Sequence, residues 1–571
     1  MRQTLKNLRS LWRAAPIAPA EQAPLSLLVC AMAIGLLLGL LAPQTNQEGI
    51  DGSLVLAGIV HYPPESPMYQ YFLGSWTLIH QLSALLLRAG LDQAYVNETI
   101  FLVPCALFVG AYAAVIYCFS GQFLLSLMAA ALFYLANPLA RYFASPDYMM
   151  VGLPWSQPPI QTFGFWAHAG SLWVIGCVAA GRKALAGFSV LLLIAVHPVL
   201  GVYMLALLIG ALLVGRLFLG VTIEGFAKGA AWGACLTLLS LVVYLRMRPD
   251  LSAPIDQAAY DAYMSMWDTH RSHVMTSAAA TRIAVAEAIA IAVLFAFIVL
   301  ARPRREAAML TAVMVLLAVI ASTVAYFTMH LAPQFLPEVI FRAAPGRLLI
   351  IQAFLSTPLA LALALHAASQ AARDWTTGAT AAWIGRVIPV GAVVFVLLEL
   401  ARAVHSRYDL MRDDVQMLLT MQSHGDPSFP GEGSAAFWRD VRRAGVTGQV
   451  LTTHSTSRPT LLYGHLPAAL AGGFDYIPYI PQTAGATARI IEKGYGVSFS
   501  NPPVDMRHSA GLSPNAGRAY WAQLTPSDWC RISGDLDVDA LIAPRDWTLE
   551  LPPVVTGADF TLYRIACNEH S

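Results

Sequence analysis

Two carboxylates and two guanidinium groups stand out in a chain that is otherwise poor in charge. Glu48 and Asp51 lie three residues apart in NQEGIDGSLVLAGIVHYPPESPMYQYF, directly after the first long apolar run. Arg342 and Arg347 flank Pro345-Gly346 in PEVIFRAAPGRLLI, at the edge of another apolar run. A carboxylate fixed where a membrane span meets water can take a proton from a hydroxyl, whereas most acidic residues beside a span are simply solvated. Guanidinium groups bind phosphate bidentately and keep their charge, whereas ordinary interfacial arginines reach only for headgroups. His197 in AVHPVLG sits where two short apolar runs meet, either projecting into an outside cavity, where it would bind substrate, or as a satisfied packed histidine. Asp147 and Trp155 in SPDYMMVGLPWSQPP would suit a substrate-binding wall, although tryptophan is also common at interfaces. His270 and His273 have i, i+3 spacing beside Asp268, but no fourth ligand accompanies them and no metal site is assigned. The sequence holds no CxxC pair, no P-loop and no GxGxxG that opens a helix, so nothing points to nucleotide-driven chemistry or to a cofactor.

What must position these residues follows from composition. Of 571 residues, 57% are hydrophobic and only 12% are charged, too apolar for a soluble protein of this size. Lys+Arg 35 against Asp+Glu 34 leaves a formal charge of +1, so no charge excess points to nucleic acid. Apolar runs at 25–41, 100–119, 123–140, 163–180, 227–245, 283–301, 307–328, 348–365 and 387–404, with 184–219 read as two spans joined at His197-Pro198, give about eleven transmembrane helices. The first, after Arg2, Lys6, Arg9 and Arg13, lacks a convincing cleavage site and is read as a retained anchor.

Segment 71–87 is apolar but carries His80, Gln81 and Ser83. The Arg302-Pro303-Arg304-Arg305 loop, the basic N-terminus, Arg182-Lys183 and Arg373 fall in the cytoplasm only if 71–87 does not span. The expectation is therefore a surface helix there, a cytoplasmic N-terminus, and outer loops at 42–99, 141–162, 246–282 and 330–347, with the whole tail outside. Pro63-Pro64 and Pro67 steer the first loop into that helix.

From 405 onward the chain changes character. Apolar runs shrink to strand length in GQVLTT, DALIAP and TLYRIA, beside the amphipathic SAAFWRDVRRAG. The expected division is a transmembrane module at 1–404, with its first outer loop at 42–99, and an extracytoplasmic soluble α/β domain at 405–571. Of 7 cysteines, only Cys530 and Cys567 lie in that tail, where an oxidising compartment would let them pair if geometry allows.

The basic N-terminus, single span, acidic residue just outside it and PPESPMYQYFLGSWTLIHQLSALLLRAGLDQAYVNETIFLVPCALFVGAYAAVIY resemble the start of the GT-C superfamily of polyprenyl-phosphate-dependent glycosyltransferases. The family's frequent Asp-Asp or Asp-Glu pair is represented only by Asp51-Gly52, with Glu48 one turn earlier. The resemblance implies an inner-membrane enzyme that moves a sugar from a polyprenyl-phosphate carrier to a glycan, lipid or protein acceptor outside the cytoplasm, in envelope polysaccharide assembly. Asp51 would then be the base, with Glu48 assisting, and Arg347 and Arg342 would hold the departing lipid phosphate. Two other classes fit the composition. A transporter or flippase would need ionisable residues at mid-bilayer, and the spans hold chiefly Glu287 and Glu399, near their ends. A non-catalytic assembly protein of an envelope-polysaccharide pathway would keep the architecture and use its outer domain to hold a partner.

Overall fold

The computed structural model describes residues 22–40, 50–135, 163–268, 306–329, 432–508 and 511–567, with isolated positions between 285 and 298. In chain order the helices are α1 Leu25–Leu40, α2 Asp51–Ala57, α3 Pro67–Gly74, α4 Leu78–Arg88, α5 Gln93–Ser120, α6 Phe123–Leu135, α7 Phe163–Ala179, α8 Lys183–Val196, α9 Pro198–Leu219, α10 Glu224–Met247, α11 Gln257–Ala262 and α12 Glu306–Met329. The later part of the chain adds α13 Glu432–Arg443, β1 Gln449–Thr452, α14 Ser457–Leu462, α15 Ala484–Tyr495, β2 Arg507–His508, β3 Gly511–Leu512, α16 Arg518–Trp521, α17 Pro526–Leu536, β4 Val538–Pro544, β5 Pro553–Thr556 and β6 Phe560–Arg564. The chain divides into two compact units, Met1–Asn46 with Glu98–Leu241 and Val274–Thr420, and Gln47–Asn97 with Val242–His273 and Met421–Ser571.

The first unit is helical. Among the described residues four helices, α5, α9, α10 and α12, are long and apolar enough to cross a membrane, and α1, α7 and α8 are shorter apolar helices. Together with the composition, these helices make the chain a multi-pass membrane protein. Spans expected at 348–365 and 387–404 lie outside the described residues, as does most of 283–301. The double run at 184–219 breaks at His197, whose extended backbone ends α8, while Pro198 opens α9. Proline fits that first helical position because no intrahelical donor is needed there. Helices α8 and α10 approach so closely that a Cβ on Gly229 would lie 1.7 Å from the Ala184 carbonyl oxygen. The small residue lets the two backbones meet without side chains between them. The opposite kind of surface appears at Trp232 and Leu239, which are 73% and 61% exposed, as side chains turned to lipid would be.

The second unit carries the sheet, in order β1-β4-β6-β5. Strand β1 pairs parallel with β4, and β6 pairs antiparallel with both β4 and β5. Phe437, Trp438 and Val441 of α13 pack on Val450, Ala540, Ile542 and Leu562 of the sheet. This matches the amphipathic pattern of SAAFWRDVRRAG, which buries one stripe and leaves Arg439 and Asp440 exposed. Cys530 and Cys567 form a disulfide, with their Cα atoms 5.4 Å apart. Segments 47–97 and 242–273 join this unit through specific contacts. Tyr71 meets Tyr476 at 5.3 Å between ring centroids, and Trp267 stacks on Phe499 at 5.6 Å while its indole N–H donates to the Phe499 carbonyl at 2.9 Å. Helix α4 has 11 residues, about 16 Å at the usual rise, well short of the roughly 30 Å hydrocarbon layer. His80 and Ser83 on it are buried, while Leu82 and Leu85 are 43% and 64% exposed.

Candidate active site around Asp51

Asp51 stands in the first turn of α2, where a carboxylate is favoured by the helix's positive end. The next residue, Gly52, is buried against the ring of His80, and a Cβ there would sit 2.5 Å from His80 Nδ1. A side chain at this position would therefore push α2 and α4 apart, and with them the carboxylate. Burial holds the His80 imidazole down to about 4, so it is neutral at ordinary pH.

The partner of Asp51 comes from the tail. Arg458 Nε donates to Asp51 Oδ2 at 3.4 Å, with the carboxylate side chain 14% exposed and the guanidinium 39%. Arg458 is set by a threonine-rich turn that follows β1. The Thr453 backbone N–H donates to Thr456 Oγ1 at 2.9 Å, the two threonine hydroxyls lie 3.0 Å apart, and the backbone N–H groups of Thr456 and Ser457 both donate to the Thr453 carbonyl. That network satisfies the polar groups of a buried turn and fixes the start of α14, whose second residue is Arg458. Tyr62 lies near enough to feel the Asp51 charge. Its phenol is pushed up chiefly by burial and then by the nearby Asp51 charge, against a backbone hydrogen bond from Ala468.

A second group lies on the same turn. His454 Nδ1 meets the Gly472 carbonyl oxygen at 2.7 Å, and its ring stands edge-on to His508 at 5.5 Å. The carbonyl can only accept, so Nδ1 carries the proton. His454 is lowered by burial above all, with His508 and Arg458 adding to the shift and the Gly472 hydrogen bond opposing it.

Of the residues singled out in the sequence, Asp51, His197 and the buried Asp268 lie in described regions. Glu48, Arg342, Arg347, Asp147 and Trp155 lie outside the described residues, as do His270 and His273. His197 is buried, and its Nδ1 accepts from the Leu200 backbone N–H at 3.4 Å, which caps α9. That contact has a clear local cause, since a helix start leaves donors without intrahelical partners. Among the described residues no three His, Cys, Asp or Glu side chains converge as a metal ion would require. Sequence reasoning missed Arg458, His454 and His508. Arg458 sits in STSRPT, 407 residues from Asp51, and nothing in either segment announces the other.

No family model and no curated protein matches the chain in sequence. Among solved structures, the Archaeoglobus fulgidus oligosaccharyltransferase tethered with an acceptor peptide matches with a TM-score of 0.43 and 10% identity, over 91% of this chain and 69% of that one. The same organism's AglB in complex with an inhibitory peptide and a dolichol-phosphate matches at 0.40 and 11%, over 91% and 69%. Arabinosyltransferase EmbB from Mycobacterium smegmatis matches at 0.27 and 14%, over 73% and 45%. These are GT-C-fold glycosyltransferases, and the chain is similar to them.

Proposed function

We propose that the chain is a membrane glycosyltransferase that moves a sugar from a polyprenyl-phosphate donor to a glycan, lipid or protein acceptor on the extracytoplasmic face, with inversion at C1. The observation that carries this reading is the Asp51 carboxylate, largely buried at a helix start just after the first apolar helix and held by Arg458 through Oδ2. Asp51 takes the proton from the acceptor hydroxyl as its oxygen attacks C1, and the bond from C1 to the lipid phosphate breaks with its electron pair on the phosphate oxygen. Arg458 orients the carboxylate for that step. Glu48 assists, and Arg347 and Arg342 hold the departing phosphate.

The proposed topology has a cytoplasmic N-terminus, about eleven spans by the apolar-run criterion, a membrane module at 1–404 and an outer α/β domain at 405–571. Three observations support it. Segments 47–97 and 242–273, which charge bias assigns to the outside, cluster with the tail in one compact unit. The disulfide between Cys530 and Cys567 suits an oxidising compartment. Helix α4 is too short to span and exposes leucines beside buried polar residues, as a helix lying in the interface does.

The test is transfer from polyprenyl-phosphate sugars to a membrane acceptor fraction by the purified protein in nanodiscs. Asp51→Asn is expected to abolish transfer while leaving expression and thermal stability near wild type. Turnover close to wild type in that variant would remove Asp51 from the active site.

A further inference from the structure

Helix α14, which carries Arg458, has only six residues, about 9 Å at the usual rise, and the first loop meets it at both ends. At its start Arg458 Nε reaches Asp51 Oδ2 at 3.4 Å. At its end the Gln93 side-chain amide donates to the Leu462 carbonyl oxygen at 2.9 Å, and Gln93 Oε1 lies 3.0 Å from His465 Nε2. A carbonyl oxygen can only accept, so the amide nitrogen faces Leu462. Oε1 is left to accept from His465, and Nε2 of that imidazole carries the proton. A helix this short does not hold itself in place, so the position of Arg458 depends on what α14 is tied to.

Both sides of this second attachment are anchored. Gln93 is the first residue of α5, and Asp92 before it accepts from the Ala94 backbone N–H at 2.9 Å through Oδ1, as an N-cap does. Arg88, at the end of α4, donates to the Leu56 carbonyl near the end of α2, the helix that begins with Asp51. On the tail side the Leu466 backbone N–H donates to the Thr460 carbonyl at 3.1 Å, and the Leu466 side chain joins the core with Trp438 and Val450. Between them His465 stands in the left-handed region at φ 52, where an ordinary side chain is strained and glycine is not. The histidine carries a strain that glycine at 465 would avoid, and what its ring gains is the bond to Gln93.

We propose that Gln93 and His465 are positioning residues, whose hydrogen bonds clasp the far end of α14 to the start of α5 and so set the Arg458 guanidinium against Asp51. The positioning role deepens the transferase reading and rests on it for the reaction that is positioned. The clasp itself does not depend on that reading.

Two variants of the full chain in nanodiscs, each made alone and together with Arg458→Gln, test this. Gln93→Met keeps the length of the side chain and loses both hydrogen bonds, while His465→Asn enters the left-handed region readily and is too short to reach Gln93. Alone, each is expected to lower kcat roughly tenfold, with KM and the unfolding midpoint near wild type. In the Arg458→Gln background neither should cost more, because losses that pass through one residue do not add. Hydrogen exchange on the same proteins reads the clasp without turnover: amides of 457–464 should exchange faster while those of β4 and β6 stay protected. Additive losses, a kcat that falls only with the unfolding midpoint, or an unchanged kcat despite faster exchange overturns the positioning role, and unchanged exchange overturns the clasp. Wild-type protein without transfer would remove the transferase reading and the positioning role with it, while exchange would still decide the clasp.

Discussion

The environment of Asp51 makes definite demands on its neighbours. Gly52 is the sharpest of these, because the space a methyl group would need is filled by His80. Gly52→Ala is expected to lower the stability of the second unit by about 1–3 kcal/mol through overpacking and to reduce transfer more than it reduces stability, since the strain falls on the residue next to the carboxylate. Thermal unfolding and turnover measured on one preparation check both halves. Arg458 makes a different demand. Arg458→Lys keeps the charge but loses the Nε contact and the planar fork, so it should recover only part of the activity that Arg458→Gln loses, a loss expected to approach 10²-fold in kcat if orientation is what Arg458 supplies. Equal activity in all three proteins would make the ion pair incidental. Asp51 was legible in the sequence because an acidic residue beside a long apolar run is conspicuous. Arg458 was not, since a single arginine in a polar turn carries no mark of the partner that tertiary folding gives it.

Individual elements were legible in proportion to how local their causes are. GQVLTT contains β1, DALIAP and TLYRIA cover all but the first residue of β4 and β6, and SAAFWRDVRRAG falls within or just beyond α13, because strand and helix periodicities are written residue by residue. The break at His197-Pro198 was visible for the same reason, while the capping role of His197 depended on a ring orientation that sequence does not encode. Helix α4 shows how an element couples to pH. His80 on it is held at about 4 by burial, and His465 is likewise held at about 4 by burial and by Arg442. Both sit below the ordinary histidine value near 6.5, so the folded state binds fewer protons than the unfolded one over that interval. Their stabilisation is complete above about pH 6.5 and is lost as pH falls towards 4, with His80 alone worth on the order of 3 kcal/mol. The midpoint of thermal unfolding should therefore drop between pH 7 and pH 5. His80→Leu should flatten that dependence if the ring is the cause, and an unchanged slope would place the cause elsewhere.

At the scale of the whole molecule, compartment and connectivity set the expectations. A disulfide closing Cys530 to Cys567 should contribute about 2–4 kcal/mol to its unit, so Cys530→Ser is expected to lower the unfolding midpoint measurably. Alkylation of intact cells before lysis tests the topology as well: a pair fully protected until reduction fits an outer tail, whereas free thiols in native membranes would place the tail on the reducing side. The Asp51–Arg458 contact has one more implication, for biosynthesis. The two residues are separated by 407 positions, so at roughly 5–20 residues per second a ribosome needs about 20–80 s to travel from one codon to the other. During that interval the nascent carboxylate waits without its guanidinium. On the transferase reading proposed above, the site is complete only once Arg458 has been made and has folded back onto the first loop.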